Sequence, residues 1–240
     1  MKTFKTLRIF GGSTSVPGNF VDPQDSFWGL TALAMDIDHI VNYSWNGCGF
    51  DSIIHIMISE QLEFNWDNDF FLVVVPPLER WTVFDNHKNT QTTARLFDTK
   101  KWQSESFEVK SHRGLINISF HMDKSTVMFE DRAWTEVNTM KNIFFLTQWL
   151  DSIKANYLIV NGSKPMDKDN VWAPNAFLLP YCLSHPKINI FSNTYSSVNI
   201  NVNWPSDFDD HSWNGHHAAP GNQRFFELGI LPCLKILKLC

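Results

Sequence analysis

Phe70-Phe71-Leu72-Val73-Val74-Val75-Pro76-Pro77 is the stretch that decides the fold. Its apolar residues run from Phe70 to Val75 without alternation and stop at two prolines. A strand with one face in water alternates apolar and polar residues. A strand with none of that alternation is buried on both faces, as in a parallel sheet covered by helices. Proline has no N–H for a sheet ladder, so the pair closes the strand.

On the amino-terminal side the pattern alternates. Leu7-Arg8-Ile9-Phe10 reads as a first strand, ended by Gly11-Gly12. Phe27, Leu30, Leu33 and Ala34 recur at helical spacing, with Asp25 or Ser26 as N-cap. His39 to Ser44 reads as a short second strand, ended by a Gly-marked turn through Gly47 and Gly49. Ser52 to Glu60 starts a second helix, in which His55 is expected to be structural. Strand, helix, strand, helix, strand is the signature of a doubly wound α/β sheet.

On the carboxyl-terminal side the rhythm breaks from about Thr82 to Glu136. That segment is polar, with alternating stretches such as Gly114 to Phe120. It is expected to be a lid-like insertion (82–136) over the site, within a single domain spanning 1–240. Val137 to Ala155 carries a helical stripe, Tyr157 to Val160 a fourth strand turned by Asn161-Gly162, and 163–206 reads as irregular. A last helix follows Pro220-Gly221, with Pro232 expected to kink or interrupt it.

Bulk composition narrows the classes. The chain has 240 residues, 43% hydrophobic and 19% charged, with net charge −5. It shows no basic stripe, which argues against nucleic acid as a partner. No apolar run is long enough to span a membrane. The basic amino terminus lacks the apolar core of a signal peptide, so a cytoplasmic or virion-associated location is expected. Cys48, Cys182, Cys233 and Cys240 stand far apart, with no C-x-x-C pair. A reducing compartment is the default, although four cysteines could also pair. The 10 Trp and 20 Phe fit either a bulky core or rings lining a groove for sugars.

Two stretches could carry chemistry. Gly11-Gly12-Ser13-Thr14-Ser15 follows the first strand, so Ser13 would lie at a carboxyl end, where open α/β sheets build their sites. Read alone, such a loop is an ordinary linker turn more often than a site. Asp207-Phe208-Asp209-Asp210-His211-Ser212-Trp213-Asn214-Gly215-His216-His217 gathers three of the nine histidines and three acids before the last helix. It could be a polar surface loop, a metal site over 207–217, or the base of a catalytic triad. No H-x-x-x-H spacing or cysteine partner supports the metal.

Taken together, these motifs resemble those of the SGNH (GDSL-type) hydrolase superfamily, especially its small phage-encoded members. Gly11-Gly12-Ser13 stands where that family's Gly-Asp-Ser nucleophile motif falls. Val41 to Ile53 is similar to its second block, and Val75 to Trp81 stands at its third. Asn214-Gly215-His216-His217-Ala218-Ala219-Pro220-Gly221-Asn222 resembles its Asp-Gly-His-Pro-x-x-x-Gly-His without a gap. The resemblance implies a three-layer α/β/α flavodoxin-like fold, mostly parallel. It implies Ser13 as nucleophile and His216 as base, with His217 in reserve. Ser13 and Gly47 would supply the oxyanion amides. The implied activity is a serine esterase that removes acetyl or other small acyl groups from a carbohydrate, with no cofactor.

The departures fall on working positions. Gly12 replaces the usual Asp, and the third block shows no Asn, whose place Arg80 could take. Asn214 stands where the triad acid belongs, so Asp210 or Asp209 would have to fold back to supply a carboxylate. Such losses also suit an alternative, a catalytically degenerate carbohydrate-binding or virion-associated protein on the same fold.

Overall fold

The computed structural model describes residues 3–16, 22–44, 48–76, 80–84, 108–112, 115–119, 132–163, 165–166, 168, 175–199 and 219–240. The central sheet has five parallel strands: β1 (Thr6–Phe10), β2 (His39–Asn42), β3 (Asp69–Val75), β7 (Asn156–Asn161) and β8 (Ile188–Asn189). They are ordered β2-β1-β3-β7-β8. Numbered among themselves this is 2-1-3-4-5, the flavodoxin-like doubly wound order. The α/β/α architecture expected from the alternation is therefore present.

The register explains the layers. Side chains alternate across a strand, and both faces of this sheet are apolar. Phe10, Phe71, Val73, Val75, Tyr157 and Ile159 face one core, shared with Ile53, Ile56 and Met57 of α2 (Phe50–Glu60) and with Met140, Ile143, Leu146 and Leu150 of α3 (Arg132–Ser152). Leu7, Ile9, Phe70, Leu72, Val74, Leu158 and Val160 face the other. There they meet Phe27, Trp28 and Ala32 of α1 (Phe27–Ala34), together with Phe225, Ile230 and Leu234. Every residue of β3 is buried, as its unbroken apolar run predicts.

One ion pair lies within this sheet. Arg8 is buried on β1 beside the carboxylate of Asp69. It also donates to Tyr43 Oη at 2.7 Å and to the Glu63 carbonyl at 2.8 Å. Asp69 in turn accepts from the Asn65 N–H at 2.8 Å. A charge taken from water is tolerated when it is paired and its other polar atoms find partners, and each of the three Arg8 guanidinium nitrogens has an acceptor.

Several sequence expectations need correction. Segment 163–206 is not wholly irregular: it contains α4 (Asn175–Ser184) and β8. Pro180 lies inside α4, where it reads as a helix breaker, and β8 has only two residues. Helix α3 begins at Arg132, so the last residues assigned to the insertion are helical. β4 (Arg80–Phe84), which starts two residues before the expected insertion, forms a separate antiparallel sheet with β5 (Glu108–His112) and β6 (Leu115–Ser119) inside it, ordered β4-β6-β5. The apolar spacing misassigns the inner face of α1. Leu33 is 78% exposed, whereas Phe27, Trp28, Thr31 and Ala32 are buried. This short helix is apolar nearly all round, so spacing alone does not orient it.

The last helix is interrupted just before Pro232, as expected, and resumes through it. Its α5 segment (Ala219–Phe225) passes through a π turn at Phe226–Ile230 into α6 (Leu231–Ile236). The Leu231 N–H reaches back five residues to the Phe226 carbonyl. A wider turn of this kind absorbs a residue that has no N–H to give. The Gly229 carbonyl accepts from Asn189 Nδ2 at 2.8 Å, which ties β8 to this helix.

Candidate functional site

Parallel strands put all their carboxyl ends on one edge, and in this strand order the crevice opens between β1 and β3. β1 ends at Phe10, and Ser13–Ser15 forms a single 3₁₀ turn directly after it. The Ser15 N–H closes that turn on the Gly12 carbonyl at 3.0 Å. Ser13 thus opens a tight turn at the carboxyl end of a central strand.

The turn is packed from several sides. A Cβ on Gly11 would lie 2.5 Å from Ser15 Oγ and 3.1 Å from Val74 Cβ. Gly11 is therefore needed for close approach, since the Ser15 side chain fills the space a larger residue would take. Ser15 Oγ is buried and has no hydrogen-bond partner among the described residues. Gly162, which follows β7, closes the other side. A Cβ there would meet Val74 Cγ1 at 2.7 Å and Thr14 Oγ1 at 3.0 Å. The Gly162 N–H donates to the Val75 carbonyl at 2.9 Å.

Two asparagines end their strands in the same way. Asn42 Oδ1 accepts from the Ser44 N–H at 2.8 Å, and Asn161 Oδ1 accepts from the Ser163 N–H at 2.8 Å. Each is an Asx turn, in which a side chain substitutes for the next backbone acceptor. Their amide nitrogens clasp neighbouring segments. Asn42 Nδ2 donates to the Ser15 carbonyl at 2.7 Å, and Asn161 Nδ2 to the Ile190 carbonyl at 3.2 Å. Asn161 reads in the sequence as part of a turn, but neither side chain is marked there as a clasp. The only signal is a shared Asn-x-Ser at the end of an apolar strand.

The last helix starts at the same edge. α1 follows a parallel strand and runs back along the sheet, so its first residue, Phe27, lies near the carboxyl ends. The Phe27 N–H donates to Oδ1 of buried Asn222 at 3.2 Å. That bond joins the first turn of α1 to the first turn of α5. Ala219, at the start of α5, therefore emerges on the edge that carries the Ser13 turn.

Of the residues singled out by sequence, Ser13 is located by its backbone, and Arg80 opens β4. Gly47, Asp209, Asp210, Asn214, His216 and His217 lie outside the described residues, as does the 207–217 stretch considered for a metal. Among the described residues, no group of three or more His, Cys, Asp or Glu is arranged to hold a metal ion. No helix among them is long and apolar enough to cross a membrane. No disulfide joins any of the four cysteines, and burial pushes the Cys182 thiol up to about 12. His55 is half-buried on α2.

No family model matches the chain, and no curated protein matches it either. Among solved structures, a member of the lipolytic protein G-D-S-L family from Veillonella parvula is similar over 93% of this chain and 94% of that chain. The identity is 10% and the TM-score 0.44.

Proposed function

We propose that the chain is a serine ester hydrolase of SGNH type that removes acetyl or other small acyl groups from a carbohydrate. The observation that supports this most is the tight Gly-backed turn opened by Ser13 at the β1 carboxyl end. The late histidine-bearing segment leads directly into a helix that starts on the same edge. In this reading His216 takes the Ser13 proton as Oγ attacks the ester carbonyl. The Ser13 and Gly47 amides, assisted by Arg80, stabilise the oxyanion. The alcohol of the sugar leaves with a proton from His216, and water then releases the acid from the acyl-serine. Asn214 or Asp210 orients the imidazole, and His217 is the substitute base.

Turnover of 4-nitrophenyl acetate and of O-acetylated oligosaccharides tests this reading. Ser13→Ala and His216→Ala should each lower kcat by about 10³-fold or more. Wild-type-level turnover in Ser13→Ala would remove Ser13 from the mechanism. Glycan binding with no turnover would favour the second reading, a degenerate carbohydrate-binding protein suggested by Gly12 and Asn214.

A further inference from the structure

We propose that Asn42 is a positioning residue for Ser13: its side-chain amide holds the 3₁₀ turn that carries the hydroxyl. The inference rests on the reading of Ser13 as nucleophile.

Asn42 is the last residue of β2 and lies beside Ile9 of β1 in the ladder. Both ends of its amide are engaged. Nδ2 donates to the Ser15 carbonyl at 2.7 Å, and Oδ1 accepts the Ser44 N–H at 2.8 Å. One side chain therefore joins the segments that leave β1 and β2. Among the described residues the Ser13–Ser15 turn is closed by the bond from the Ser15 N–H to the Gly12 carbonyl. A single turn is weakly determined by itself. A nucleophile displaced by about 1 Å can lose roughly 10²-fold in rate, so an external clasp on this turn has a direct chemical consequence. Asn161 makes the equivalent pair of bonds at the end of β7, but it donates to Ile190 rather than to the serine turn.

Two variants separate the clasp from the strand-ending role. Asn42→Ala removes both bonds. Asn42→Asp is nearly isosteric, keeps an acceptor for the Ser44 N–H and, at neutral pH, sets a carboxylate against the Ser15 carbonyl. A remote control is Tyr181→Phe, which loses only the hydroxyl contacts to Thr147 and Gln148, at 2.6 and 3.2 Å. Each protein is labelled with a fluorophosphonate probe, and kinact and KI are measured beside Tm. Amide exchange of Ser15 is followed in parallel.

The expected result is a fall in kinact of roughly 10–100-fold in both Asn42 variants, with KI little changed. The Ser15 amide should exchange about fivefold faster or more. Tyr181→Phe should lower Tm and leave kinact per folded molecule intact. Wild-type kinact in Asn42→Asp, with Ser15 protection unchanged, overturns the proposal. If the wild-type chain takes no label, the hydrolase reading fails by itself. Exchange then decides alone: unchanged Ser15 protection in both variants overturns the clasp, and lost protection sustains it.

Discussion

At the scale of single residues, the site edge is set by places where no side chain fits. Gly162 lies against the Ser13 turn on one side and against the end of β3 on the other. A methyl group there would press on Val74 Cγ1, Thr14 Oγ1 and the Val75 carbonyl, the last at 3.1 Å. Two of these neighbours are fixed by the sheet, so relief must come from the turn. Gly162→Ala is expected to destabilise the chain by about 1–3 kcal/mol, read from the urea midpoint at constant m-value. A midpoint equal to wild type would mean that the two turns are not in contact. The sequence marks Gly162 as a turn residue but gives no sign that its neighbour is Thr14, which is far away in the chain.

At the scale of elements, helix ends explain why boundaries are hard to read. α1, α3 and the last helix all finish with a residue at positive φ: Asp36, Lys154 and Lys238. In each, the next N–H reaches back five residues, from Ile37 to Ala32, Ala155 to Leu150 and Leu239 to Leu234. This is the Schellman arrangement, whose left-handed position glycine usually takes. Here no glycine marks the stop. Lys154→Gly should therefore stabilise the fold by about 1 kcal/mol, the relief of left-handed strain less the added chain entropy. Thermal unfolding checks this, and a lowered Tm would contradict it.

A second element-scale device lies at the opposite, amino edge of the sheet. Asp151, at the end of α3, accepts from Lys187 Nζ at 2.9 Å and from Tyr157 Oη at 3.0 Å, and pairs with His185 Nε2 at 3.2 Å. Burial acts to raise its pKa, but the bonds from Lys187, His185 and Tyr157 outweigh it and leave the carboxyl below its ordinary value. A depressed folded pKa contributes stability above the unfolded value, and that contribution is lost as pH falls through the folded value. Asp151→Asn should thus be less stable than wild type at pH 7, with the gap closing below about pH 4. Partial exposure of the cluster limits the size of the effect. A gap independent of pH would contradict the assignment.

At the scale of the whole molecule, the parallel core was legible because β3 is apolar on both faces and because strands and helices alternate before it. The fifth strand was not. Ile188 and Asn189 give too short a run to register, and Pro180 disguises the helix before them. The fold compensates through Asn189, whose bond to Gly229 fixes β8 to the last helix, a long-range pairing that no local pattern encodes. Of the candidate site, the placement of Ser13 was legible from two glycines after an apolar strand. The bond between Phe27 and Asn222 was not, since it joins residues far apart in the chain. The start of the last helix reaches the edge that carries the early turn only through the topology of the sheet. Mass-spectrometric mapping of the fluorophosphonate adduct on the intact wild-type chain tests the central claim most directly. One adduct is expected, on the peptide containing Ser13, and it should disappear in Ser13→Ala. An adduct on any other serine, persisting in that variant, would contradict it.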